Sequence, residues 1–135
     1  MKGASLNATG TSMTARFTIN RIHSKQRPRH LKNGHTYTPR ETKEYEEEVA
    51  WNYKAQTDGY VFQGPVSVTM LFTFIKPKSV KREYPTVKPD LDNVIKSVLD
   101  GLNKTAWNDD AQVCRVFAEK QYGSREKVYV LIQGD

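Results

Sequence analysis

The chain has 135 residues and a mass of 15.5 kDa, which suits one domain around a single modest core. Its formal net charge of +6 and pI near 9.4 give a surface potential that attracts polyanions, nucleic acid first among them. A lone Cys114 excludes an intrachain disulfide, no paired Cys and His spacing suggests zinc, and no apolar run reaches the roughly 18 residues of a bilayer span, so a reducing cytoplasm and no membrane partner are expected.

Met1 to Ser12 is rich in Gly, Ser, Thr, Asn and Ala and is expected to be disordered; Met13 reads equally well as the natural start, with the preceding residues a leader or tag. The domain proper is then residues 13–135. Arg16 to Ile22 alternates in the manner of a short strand. A basic loop follows from His23 to Gly34, and its three histidines, His23, His30 and His35, are expected in water or against phosphate. Residues 1–40 hold eight Lys or Arg and no acid, so this end is a candidate phosphate-binding surface. Thr38, Pro39 and Glu41 have the spacing of a helix entry, with Thr as cap and Glu reaching back. The helix should run to about Gln56 and bury Tyr45, Val49 and Tyr53 on one stripe.

Pro65 to Ile75 places Val66, Val68, Met70, Phe72 and Phe74 on one side, the pattern of a core strand. Lys76 to Lys88 is a basic loop with Lys76, Lys78, Lys81, Arg82 and Lys88 against the single acid Glu83, a second candidate phosphate surface. Leu91, Val94, Ile95, Val98, Leu99 and Leu102 have helical spacing. Gln112 to Tyr122 and Lys127 to Ile132 read as strands joined by a short connection, hence an antiparallel hairpin. The sum is an α/β fold of the α+β kind: one small domain with a mixed sheet of about four strands packed on two main helices. Trp51, Trp107 and the tyrosines are read first as core or interface; stacking of Trp107 on an unpaired base is the less favoured alternative.

Chemistry concentrates between Lys88 and Val113. Pro89 disfavours helical geometry at Lys88, so the helix should begin just after it with Asp90 as its cap. Asp92, Lys96 and Asp100 then fall four apart along one face. Each residue has an ordinary reading: Asp90 as a cap, Asp109 and Asp110 as a solvated turn, Lys96 as a surface ion pair. Together, Asp90, Asp92, Asp109 and Asp110 put up to four carboxylates within reach of one another, and such repulsion is relieved by a cation. Mg²⁺ takes one or two carboxylates plus waters and phosphate oxygens, which accords with a basic surface and a phosphodiester substrate. Lys96 would then stabilise phosphate charge.

The run Asp90-Leu-Asp92-Asn93, Lys96, Asp100 and the downstream Asp109-Asp110-Ala-Gln-Val113 resembles the signature of the RusA family of Holliday junction resolvases. The likeness is close from Lys88 to Val113, and the order of the flanking strands is compatible with it. It implies that Asp90, Asp92 and Asp110 bind divalent metal, Mg²⁺ or Mn²⁺, and activate water, and that Lys96 matches the family's functional lysine. Asn93, Asp100 and Asp109 are possible supporting residues. It further implies a homodimer that cuts four-way DNA junctions symmetrically, in recombination and repair, leaving nicks that a ligase can seal. Lys25, Arg27 and Arg29 lie in a stretch that resembles only some members and are assigned to DNA contact. The metal-binding residues leave open a nuclease for flaps or forks, and a noncatalytic DNA-binding protein would use the same acids as caps and solubilising charge.

Overall fold

Alternation along the strands dictates the core. The computed structural model describes residues 4–6, 13–24 and 39–134. In the central strand β3 (Val66–Ile75), Val66, Val68, Met70 and Phe72 are buried on one side, while Ser67, Thr69 and Leu71 keep partial exposure on the other. The buried side meets Ala15, Phe17 and Ile19 of β2 (Met13–Ile19), and Val128, Val130 and Ile132 of β5 (Lys127–Gly134). Helix α1 (Pro39–Gln56) adds Tyr45, Val49 and Tyr53, the stripe its sequence spacing predicts. Helix α2 (Leu91–Leu102) adds Val94, Val98 and Leu102. Both helices therefore cover one face of the sheet, and each fully buried aliphatic or aromatic side chain contributes about 1.5–3 kcal/mol toward keeping them there.

The sheet order is β1-β2-β5-β3-β4, with β4 spanning Val113–Gly123. Four long strands and two helices bear out the expected α+β domain, and a three-residue strand, β1 (Ala4–Leu6), pairs antiparallel with Met13 to Ala15 inside the segment expected to lack structure. Strand β2 begins three residues before the expected Arg16 and ends at Ile19.

The expected hairpin does not form. Strand β4 runs parallel to β3, and β5 pairs antiparallel with β3 on its other side, so β3 separates the two. Residues 124–126 carry the chain across the end of β3, a gap of about 10 Å that four extended peptide units can span. Burial explains the choice: every second residue of β5 is fully buried, whereas Cys114 to Phe117 of β4 are exposed, so β5 takes an inner place and β4 the edge. Parallel pairing of β3 with β4 is in turn possible because α2 lies between them as the crossover.

Two close fits fix the helices. Where α2 crosses α1, a Cβ at Gly101 would stand 2.6 Å from the Val49 Cβ, so only glycine permits that approach. Gln56, in the last turn of α1, accepts from the Thr18 amide at 2.9 Å and donates to the Thr18 carbonyl at 2.7 Å, satisfying the free edge of β2 as a neighbouring strand would.

Candidate active site

Asp90 occupies the N-cap position of α2 in extended conformation (φ −69°, ψ 145°), after a cis Lys88–Pro89 peptide bond. The sequence predicts a capping side chain, but the Asp90 carboxylate makes no cap hydrogen bond. Its Oδ2 instead lies 2.9 Å from the Lys88 ammonium. Asp92 follows in the first turn, so two exposed carboxylates stand at the positive end of the helix. Farther along, Lys96 pairs with Asp100 at 3.5 Å, its own side chain well exposed and that of Asp100 mostly covered. Asn93 is half-buried on the first turn, and its carbonyl accepts from the Ser97 hydroxyl at 3.2 Å.

The basic loop reaches Asp90 as a strap tied to the sheet. Lys120 of β4 donates to the carbonyls of Val87 at 2.7 Å and Pro89 at 2.9 Å. Burial pulls the Lys120 pKa below its ordinary value, opposed by the Asp90 carboxylate and reinforced by the positive charge of Lys88. Arg82 donates from Nε to the Tyr122 hydroxyl at 2.9 Å. Lys76, Lys78, Lys81, Arg82 and Lys88 are all exposed, so the strap presents its charge to solvent as a surface of positive potential beside the acids.

Asp110 is placed by different means. It opens a 3-10 turn, Asp110–Gln112, whose cap is Asp109: the Asp109 Oδ1 accepts from the Ala111 amide at 3.0 Å, and the Gln112 Oε1 accepts from the Asp109 amide at 3.1 Å. Asp109 is thus committed to the turn. The Asp110 Oδ1 accepts from the Trp107 indole at 2.9 Å. Trp107 is fully buried and bridges Asn103, the C-cap of α2, which excludes it from stacking on a base.

Asp90 and Asp92 therefore stand at the same end of α2, and Asp110 is not brought to them within one chain. Asp90 stands at one end of α2, a helix of 12 residues or about 18 Å; Asp110 hangs from Trp107 at the other. Strand β4 measures the same separation, since it starts at Val113 beside Asp110 and reaches Pro89 only through Lys120, seven residues or roughly 23 Å later. Among the described residues, no group of three or more His, Cys, Asp or Glu could hold a metal ion. The expectation that four carboxylates crowd together in a single chain is corrected by the length of α2.

Sequence reasoning missed two positioning residues. Lys120 looked like one more charge on a strand, and only its paired neighbour, the strap, reveals its use. Gln112 holds the turn before β4 in place, donating to the carbonyls of Phe62 at 2.8 Å and Gly64 at 3.0 Å; its place three residues after Asp109 is the capping-box spacing and could have been noticed. Two expectations are corrected. Trp51 is 69% exposed, so of its two readings, core or interface, the core one falls. His23 packs its ring 5.0 Å from that of Tyr45, and burial and the Arg21 charge lower its pKa. Lys25, Arg27, Arg29, His30, His35 and the Thr38 cap lie outside the described residues.

Among the described residues, no helix is long and apolar enough to cross a membrane. The family profile Endodeoxyribonuclease RusA matches residues 21–133. The chain is also 34% identical over 122 residues to "Uncharacterized protein YqaN" of Bacillus subtilis (strain 168), covering 79% of this chain and 86% of that protein.

Proposed function

We propose that this chain, which belongs to the RusA endodeoxyribonuclease family, resolves four-way DNA junctions by divalent-metal-dependent hydrolysis of two symmetry-related phosphodiesters. The observation that carries the reading is the exposed pair Asp90 and Asp92 at the head of α2, bordered by a strap of basic residues. Hard carboxylate oxygens in small number suit Mg²⁺, with Mn²⁺ able to substitute, because such an ion keeps sites for water and for phosphate oxygens. The Asp90 carboxylate already faces a positive charge, that of Lys88. When bound, the ion supplies charge neutralisation and an activated water. Lys76, Lys78, Lys81 and Arg82 would hold the DNA backbone, Lys88 and Lys96 would offset phosphate charge beside the acids, and Lys25, Arg27 and Arg29 would extend the contact.

A site that uses Asp110 as well needs a second copy of the chain. The edge strand β4 favours one, since Val116 and Phe117 are exposed on it, Phe117 to 61%. Antiparallel pairing of two such edges about Phe117 would set Arg115 opposite Glu119 of the partner subunit. It would also carry Asp110 of the partner subunit toward the end of β4 where Asp90 sits. Two sites related by a twofold axis match a junction whose strands are themselves symmetric.

Cleavage of a synthetic four-way junction, a fork and a linear duplex at matched salt tests the substrate, because nonspecific affinity varies steeply with salt. Folded Asp90→Asn or Asp92→Asn should abolish cutting in Mg²⁺; wild-type rates in either would end the proposal. Equal cutting of fork and junction would reassign it to branched DNA at large, and binding without cutting would make the chain a noncatalytic DNA-binding protein. Mixing Asp90→Asn with Asp110→Asn should restore nicking of one strand when each site draws on both chains, and restore none when each site is complete within a chain.

A further inference from the structure

The strap does not lie flat on the sheet. Between it and the ends of β3 and β4 is a half-open cavity of about 140 Å³. A cavity of about 150 Å³ accepts a benzene ring, so the space fits one six-membered ring. Its walls include the aromatic side chains Phe74 and Tyr122, and cationic Arg82, Lys88 and Lys120 also line it, with no acid among the described residues that line it. The Lys76 ammonium and the Arg82 guanidinium stand 5.8 and 5.9 Å from the centre of the Tyr122 ring, and the Lys120 ammonium stands 5.9 Å from that of Phe74. Those distances are at the outer limit of cation–π attraction, so the cations stand over the rings without touching them, and Arg82 and Lys120 among them line the pocket.

Flat apolar walls under a positive rim are complementary to an aromatic ring that carries an anion. The Arg82 Nε is used to fix the Tyr122 hydroxyl, and the other guanidinium N–H groups form the fork that suits a phosphate. Lys88 both lines the cavity and pairs with Asp90, so an occupant lies directly beside the acids at the head of α2. Size, aromatic walls, positive rim and this shared wall point to a single ligand class.

We infer that this pocket binds one unstacked pyrimidine nucleotide of the DNA strand adjacent to the phosphate to be cut. The inference rests on the nuclease reading above and adds to it a base-binding site that would favour a pyrimidine next to the cleavage point. The second ring of a purine would have to project through the open side of the cavity, so a pyrimidine is the better fit. Lys120 would hold the pocket's outer wall closed through Val87 and Pro89.

The test is binding by the full-length protein in EDTA, where no metal-dependent cutting intervenes. The probes are a short oligothymidylate, an oligodeoxyadenylate of equal length, the same backbone with abasic sites, and free thymidine monophosphate. Oligothymidylate should bind about tenfold more tightly than the abasic strand, the scale of one base stacked on an aromatic ring. Phe74→Leu should erase most of that difference and leave affinity for the abasic strand unchanged; Tyr122→Leu should erase it too, with some loss on the abasic strand because Tyr122 also fixes Arg82. An oligonucleotide bearing iododeoxyuridine should photocross-link to Tyr122 or Phe74 in the unsubstituted protein, a readout that needs no variant to fold. Equal affinity for thymidylate and abasic strands, preference for adenylate, or cross-links confined to other residues would overturn the inference. Competition by free thymidine monophosphate as strong as by the strand would reassign the pocket to free nucleotides and overturn it also. Junction cutting is scored separately: cutting without a thymidylate preference defeats the pocket alone, and the preference without cutting defeats the nuclease reading.

Discussion

Replacing Lys120 by Met keeps the length and apolar stem of the side chain and removes its two hydrogen bonds to the strap, at 2.7 and 2.9 Å. Fully shielded bonds from a charged donor contribute about 1.5–3 kcal/mol each. Two features reduce that here. Val87 is 49% exposed, so its carbonyl can turn to water, and the burial that depresses the Lys120 pKa is a cost that neutral Met does not bear. The net loss should be about 1–2 kcal/mol, a factor of roughly 5–30 in the equilibrium for opening the strap. Native-state hydrogen exchange reads this directly, because the Thr86 amide donates within the strap to Tyr84 at 2.8 Å and the Val94 amide closes the first turn of α2 on Asp90 at 3.3 Å. Both amides should exchange faster by that factor, while amides of β3 change little. Unaltered protection at Thr86 and Val94 in a folded Lys120→Met protein would show that the strap is held by something other than this lysine.

Gly101→Ala should gain about 1 kcal/mol of helix propensity and lose more to overpacking, because the Val49 Cβ at 2.6 Å is fixed by its own backbone. A net loss of about 1–2 kcal/mol in denaturant unfolding is expected, and a more stable variant would refute the close crossing. Gln112→Ala removes the bonds to Phe62 and Gly64 and the capping box. It should cost about 1–2 kcal/mol and shift Trp107 emission to the red as the turn loosens; unchanged emission and stability would count against that role. Burial pushes the Tyr53 pKa up to about 12 and raises that of Tyr45 as well. A raised native pKa makes this contribution complete below the ordinary value of 10.0 and lost as pH climbs through about 12. Tyr53→Phe should flatten the alkaline fall in unfolding free energy, and parallel curves for the two proteins would contradict this. His23 has a depressed native pKa, so its contribution is complete above 6.5 and declines as pH falls below that value until the native pKa is passed. His23→Gln should show a smaller drop in Tm between neutral and mildly acidic solution than the natural chain.

Elements whose signal is local were legible in the sequence. The Tyr45, Val49, Tyr53 stripe and the apolar positions of α2 mark helices at their true limits, because helical periodicity is a property of neighbours along the chain. Strand β3 was legible for the same reason. The β4–β5 pairing was not, because a three-residue connection serves a hairpin or a jump across one strand equally well. What separates the two is the full burial of Val128, Val130 and Ile132, which needs neighbours on both sides.

In the site, the sequence by itself marked the acidic motif, the basic strap and the family, since residue identity and short spacing are enough for these. It also fixed Asp90 and Asp92 as neighbours, with one residue and the start of a helix between them. Tertiary structure decided the rest. The rigid length of α2 sets Asp110 far from those two acids, Trp107 is drawn into the core, and β4 takes the edge of the sheet with Lys120 reaching across to the strap. Distances between segments depend on packing, and packing is settled only when every buried face in the chain has found its partner.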